Sequence, residues 1–135
     1  MVIFVEKSII LWIFKGGAMA EKREVGRFLE DLKEKIRFFE IRFRPRDKNL
    51  QALADLDITA TKRLEHIMNL RVEDYYAGPK NDTYDTALPD YFEFGIQVKG
   101  VEVYVKISMG LSNKPVDCMS FHPAEFPINY PLKKV

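Results

Sequence analysis

Between Tyr91 and Ile107 two stretches alternate apolar with other side chains, and only Lys99-Gly100 separates them. Phe92, Phe94, Ile96 and Val98 alternate with Tyr91, Glu93, Gly95 and Gln97. Val101, Val103, Val105 and Ile107 alternate with Glu102, Tyr104 and Lys106. A period of two marks a strand with one buried face. So short a connection makes the strands antiparallel, with Gly100 free to take a positive φ. Pairing Val98 with Val101 sets Gly95 opposite Tyr104 and Glu93 opposite Lys106. A second turn over Gly110 to Pro115 leads to a third strand, Val116 to His122. The pattern predicts Met119 and Phe121 on its apolar face and Cys118, Ser120 and His122 on the other.

Upstream the period lengthens. Over Glu21 to Arg37, Val25, Phe28, Leu29, Leu32 and Ile36 recur at spacings of three and four, the stripe of an amphipathic helix. Phe39, Ile41 and Phe43 then alternate with Glu40, Arg42 and Arg44, predicting a strand that ends at Pro45. Over Lys48 to Leu56, Leu50, Leu53 and Leu56 recur at helical spacing and predict one short helix. Thr61 to Leu70 predicts another, with Thr59 as its N-cap. Gly78-Pro79 reads as a turn, Asn81 to Pro89 as a long loop, and the tail with Pro123, Pro127 and Pro131 as extended chain packed over the surface. The expected architecture is α+β, with N-terminal helices packed on a mainly antiparallel sheet that ends in a three-stranded meander. The 135 residues suffice for one domain with its own core, placed over residues 19–135.

Residues 1–18 stand apart. The apolar run Ile9 to Phe14 is shorter than the about 20 residues a membrane span needs. Three readings compete: a signal peptide ending near Ala18-Met19-Ala20, a start codon placed upstream of a true start at Met19, or a genuine extra element. The second is favoured, because Lys15-Gly16-Gly17 is encodable by a purine-rich ribosome-recruiting stretch. This segment contributes Lys7, Lys15 and Glu6, so the remainder has no net charge.

With 21 basic and 20 acidic residues, binding of nucleic acid through bulk charge is excluded, and such a role needs a local patch. The lone Cys118 forms no internal disulfide, no CxxC is present, and His66 and His122 lie far apart. No metal or other cofactor is expected, and a reducing cytoplasm is the default.

One patch is the polar sheet face: Tyr104 and Lys106, with His122 and Ser120 if the third strand joins in register. These residue types suit phosphodiester chemistry, in which His or Lys moves protons, Lys neutralises a phosphorane and Tyr positions a phosphate or stacks on a base. Each has a plainer reading. Lys106 pairs with Glu93 across the strands, Tyr104 packs on Gly95, and His122 bonds a backbone carbonyl. A second patch is Arg42, Arg44, Arg46 and Lys48, read either as charge that keeps a strand edge from aggregating or as RNA-phosphate contacts. Cys118 reads as a core filler and His66 as a surface residue.

The order of segments carries a resemblance. Leu56-Asp57-Ile58, a helix ending in Asn69-Leu70, Val72-Glu73-Asp74-Tyr75-Tyr76, the hairpin Val98 to Ile107 and Ser120-Phe121-His122 together resemble the MqsR family of toxins over residues 55–122. The resemblance implies a RelE-like fold and a cytoplasmic, metal-independent mRNA endoribonuclease of a type II toxin–antitoxin system. It also implies a partner antitoxin with a zinc-binding region, encoded nearby by a short frame with CxxC pairs and a helix-turn-helix. The family's strand tyrosine matches Tyr104, and the lysine after its Ser-Phe corresponds to His122. Its lysine after the Asp-aromatic-Tyr segment falls on Ala77 or Gly78, with Lys80 a few residues on. Its glutamine ahead of the hairpin falls near Asp90. On this reading Tyr104, Lys106, His122 and Lys80 are the catalytic set, and Arg42, Arg44, Arg46 and Lys99 hold flanking mRNA. The rival from the residues alone is a non-catalytic module that binds a partner chain along an exposed strand edge.

Overall fold

The computed structural model describes residues 20–133; the readings of residues 1–18 lie outside them. Helix α1, Lys22–Phe39, buries Val25, Leu29, Leu32 and Ile36, the stripe its spacing predicts. Each fully buried aliphatic side chain contributes roughly 2 kcal/mol by leaving water. Phe28 stacks on Phe92 of the sheet with ring centroids 4.1 Å apart. On the far side of the helix Lys33 and Lys35 reach down to backbone carbonyls, Leu70 O at 2.6 Å and Leu111 O at 2.9 Å.

The helix runs two residues further than expected, so Phe39 belongs to it and not to the strand. Glu40 stops it: its N–H bonds Ile36 O while its φ of 78° turns the chain aside. Strand β1 is therefore only Ile41–Phe43. Helix α2, Asp47–Leu56, buries Asn49, Ala52 and Leu56, whereas Leu50 is 61% exposed, contrary to the leucine spacing. The helix lies against the sheet on its asparagine and alanine side, for a reason given below. Helix α3, Ala60–Met68, starts where expected, with Lys62 N donating to Thr59 Oγ1 at 3.1 Å.

A turn of 3₁₀ helix, Val72–Asp74, leads into β2, Tyr75–Lys80. This strand replaces the turn read at Gly78-Pro79. An edge strand has one unpaired side, where a proline's missing N–H breaks no ladder. After the expected loop come β3, Tyr91–Val98, β4, Val101–Ser108, and β5, Val116–Pro123. The sheet order is β1-β5-β4-β3-β2, parallel at β1-β5 and antiparallel elsewhere. Over the described residues the architecture is thus α+β, three α-helices with a five-stranded mixed sheet. Residues from every helix and from β2 to β5 join one hydrophobic cluster, with Ile41 and Phe43 of β1 packed against it. Among the described residues no helix is long and apolar enough to cross a membrane.

The β3-β4 register is the predicted one, Val98 with Val101, Gly95 with Tyr104 and Glu93 with Lys106. Lys99 and Gly100 both take positive φ, 52° and 81°, which makes the two-residue turn. Strand β5 departs from simple alternation. Ser120 lies opposite Lys106 but Cys118, not Met119, lies opposite Ile107. The extra residue is a β-bulge at Met119. It turns Val116 and Cys118 to the core, against the expectation for Cys118, while Ser120 and His122 keep the polar face.

Asn49 explains both the bulge and the tilt of α2. Its Nδ2 donates to Arg44 O at 2.9 Å and to Met119 O at 3.0 Å, and its Oδ1 accepts from Phe121 N at 3.0 Å. Two backbone groups of β5 at the bulge, Met119 O and Phe121 N, are thereby satisfied inside the protein. Beyond β5 the chain crosses the polar face as an extended strap, as the prolines predict. Ala124 N donates to Glu102 O at 2.9 Å, Ile128 N to Glu102 Oε1 at 3.1 Å and Tyr130 Oη to Glu102 Oε2 at 2.7 Å. A Cβ on Gly95 would sit 2.8 Å from Ile128 Cδ1 and 2.5 Å from Tyr130 Oη, so the aromatic over Gly95 is Tyr130 and not Tyr104.

Replacing Asn49 with Ala strands two buried backbone groups, Met119 O and Phe121 N, and is expected to destabilise the fold by about 3 kcal/mol. Urea unfolding followed by circular dichroism measures this as a lower midpoint at unchanged slope; an unchanged midpoint rejects the clamp.

Candidate functional site

Among the described residues one face of the sheet carries no helix, and the strap covers only its Glu102–Gly95 end. The remainder is a cleft of about 390 Å³. Register alone brings its centre together: Tyr104 pairs with His122, Lys106 with Ser120 and with Glu93, and Lys80 with Tyr91. Arg46 and Lys48 border the cleft from the start of α2, Tyr76 from β2, and Phe126 from the strap.

Glu93 is the hub. It is buried at 7% exposure, and its Oε1 accepts a short hydrogen bond from the Tyr104 hydroxyl. Lys80 Nζ stands 2.8 Å from Oε2. That contact is an ion pair. Burial and the bond to Glu93 push the Tyr104 phenol far above its ordinary value, so it stays a neutral donor. The same ion pair raises Lys80.

Lys106 is in a different state. Its Nζ lies 4.3 Å from the centre of the Tyr91 ring, and among the described residues it forms no ion pair. The expected Lys106–Glu93 pair is absent because Lys80 and Tyr104 occupy both carboxylate oxygens. Burial lowers its pKa, with Glu93 and Asp82 opposing. The ammonium here is less well solvated than usual and gives up a proton more readily.

The His122 ring lies against that of Tyr104, centroids 5.6 Å apart. Its Nδ1 is 2.9 Å from Pro123 O. A carbonyl only accepts, so Nδ1 carries the hydrogen and Nε2 remains for a ligand or a proton. The backbone-carbonyl reading of His122 therefore holds and leaves the second nitrogen available.

The structure thus gathers Tyr104, Lys106, His122, Lys80 and Arg46. Three other residues fall elsewhere. Arg44 is spent on Asp117 in a two-pronged pair, Nε to Oδ1 at 3.0 Å and Nη2 to Oδ2 at 2.6 Å. Lys99 sits at the hairpin tip and donates to Asp57 O at 2.6 Å. Arg42 lines a separate hollow with Asp85 and Lys114. Cys118 is core, 1% exposed, with its thiol pushed up to about 12 by burial. Among the described residues no group of three or more His, Cys, Asp or Glu side chains lies together to hold a metal ion. The residue that sequence reasoning underrated is Glu93, considered only as a countercharge. Its signal was the register, which sets it beside both Tyr104 and Lys106. Phe126 was missed because nothing in the sequence marks which tail residue the strap leaves outward.

No family model, curated protein or solved structure matches the chain.

The raised Tyr104 value links to stability. In the unfolded chain the phenol ionises near 10, while in the folded protein it holds its proton. Its contribution is fully present below about pH 10 and is lost as pH climbs from there through the raised folded value. Tyr104→Phe is expected to lose stability less steeply over that alkaline window; parallel slopes in pH-resolved urea unfolding contradict the buried phenol.

Proposed function

We propose that this cleft cleaves RNA by attack of the substrate's own 2′-hydroxyl on the adjacent phosphate, and that the protein is a RelE-like toxin of the MqsR type. The observation that carries the reading is the convergence of Lys80, Lys106, Arg46, Tyr104 and His122 on one recessed sheet face. A chain with almost no net charge sets Arg46, Lys48, Lys80 and Lys106 around one cleft against two carboxylates, Glu93 and Glu125, the second of them paired with Lys48. Support also comes from the segment order that resembles the family, and from the α+β architecture with its antiparallel meander.

In this mechanism His122 Nε2 takes the proton of the 2′-hydroxyl and the 2′-oxygen bonds to phosphorus. The bond from phosphorus to the 5′-oxygen breaks, and Lys106 gives a proton to the departing oxygen. The products are a 2′,3′-cyclic phosphate and a 5′-hydroxyl. Lys80 and Arg46 neutralise the charge gathering on the phosphorane, and the Tyr104 hydroxyl turns from Glu93 to a non-bridging oxygen. His122 stands where the family has lysine, and an imidazole does the same proton work. The neutralising partner would be an antitoxin of the kind the family uses.

Strand addition, the basis of the interaction-module reading, finds little edge to use. β1 offers three residues, and β2 carries Pro79 and two shifts of register.

With metal chelated, the full chain is expected to cut single-stranded RNA to cyclic-phosphate ends. Lys106→Ala and His122→Ala should each lower kcat by about a hundredfold or more. The alkaline limb of the rate profile should lie below the ordinary lysine value of 10.5, because burial lowers Lys106. Absence of cleavage by the wild type, or wild-type rates in both variants, rejects the assignment.

The two arginines should separate. Arg46→Ala weakens RNA binding without changing stability. Arg44→Ala costs about 1 kcal/mol of stability, a figure limited by the partial exposure of its pair with Asp117, and leaves RNA affinity unchanged. Filter binding and thermal unfolding of both variants measure this.

A further inference from the structure

Phe126 is 66% exposed, yet it borders the cleft and is held there. Ala124 N and Ile128 N, on either side of it, both bond Glu102, and Pro127 stiffens the short span between. Among the described residues its ring stacks on no other aromatic. An apolar ring fixed outward at the rim of a cationic cleft stays wetted unless a ligand covers it.

The floor of the cleft is recessed. His122 is only 9% exposed, so a reacting phosphate comes beside it only if the strand that carries it bends inward. Bending a nucleic-acid strand about one phosphate unstacks the neighbouring base. In a duplex that step also breaks pairing, whereas in a single strand it costs only the stack. An aromatic face at the rim restores that stack, and does so for any base.

We propose that Phe126 is a stacking platform for an unpaired nucleobase beside the reacting phosphate. The inference rests on the RNA-cleaving reading of the same cleft and adds to it a residue outside the proton-transfer set. Tyr76 on β2 lines the same cleft and presents a second ring from another element.

The test uses the full chain and two non-cleavable probes of equal length and charge, a labelled 2′-O-methyl octauridylate and an abasic 2′-O-methyl chain. Fluorescence anisotropy gives the affinities. Phe126→Ala is expected to weaken binding of the octauridylate about tenfold and to leave the abasic chain unaffected. Phe126→Trp is expected to restore the affinity, with its indole emission quenched on binding. Equal affinity of wild type and Phe126→Ala for the octauridylate, or an equal loss on both probes, overturns the platform. If wild-type protein cleaves RNA while Phe126→Ala binds the octauridylate as wild type does, only this inference falls. If the wild type neither binds nor cleaves RNA, both fall.

Discussion

Strand β5 has to serve two masters, and a buried amide lets it. At one end Val116 and Cys118 belong to the core; at the other Phe121 does, while Ser120 and His122 face the cleft. Strict alternation cannot satisfy both sets, because 118 and 120 share a parity. One extra residue at Met119 changes the parity midway, at the cost of backbone groups left without ladder partners. Asn49 supplies two hydrogen bonds at that point, to Met119 O and from Phe121 N, and a third to Arg44 O. The position of α2 follows from this, since the helix must present Asn49 to the strand, and so does the place of Arg46 and Lys48 at the rim. Asp117, turned outward by the same bulge, engages Arg44.

The cleft shows how a nearly neutral chain creates a charged site. The cations are not in excess; they are sorted. Arg44, Lys99, Lys33 and Lys35 are occupied by carboxylates or carbonyls that hold elements together. Lys106 is among the basic groups left without such a bond, and Lys80 shares Glu93 with Tyr104. Placing a carboxylate between them keeps the tyrosine neutral and orients it, and it keeps opposed charge within reach of a cluster that would otherwise repel itself. What distinguishes a structural from a candidate functional cation here is its partner, which only the fold reveals.

Periodicity carried the reading where contacts are local. The hairpin register, the buried stripe of α1 and the Thr59 cap follow from residues near one another in sequence. The departures occur where a distant partner decides. Leu50 faces outward because Asn49 must face inward toward a strand far along the chain. Cys118 changes face because of a bulge that no spacing rule signals. Phe39 alternates like a strand residue but is held in α1 until Glu40 turns the chain. Tyr104, Lys106, His122 and Lys80 were legible as a set through register and resemblance. That Arg44 and Lys99 bond Asp117 and Asp57 was not legible, because a basic side chain looks the same in sequence whether its charge is engaged or open.

The bond from Asn49 to Met119 joins residues 70 positions apart, whereas the β3-β4 hairpin closes through two. Loop-closure entropy rises with that separation, so the hairpin can form early and the Asn49 contact late. A chain that has collapsed around its hairpin would already hold Glu93 beside Tyr104 and Lys106. Until β1 and α2 dock, β5 has no partner to hold its bulge, and Arg46 is not yet at the rim. Order of assembly would then act as a safeguard, with the cleft completed only in molecules that have closed this long loop.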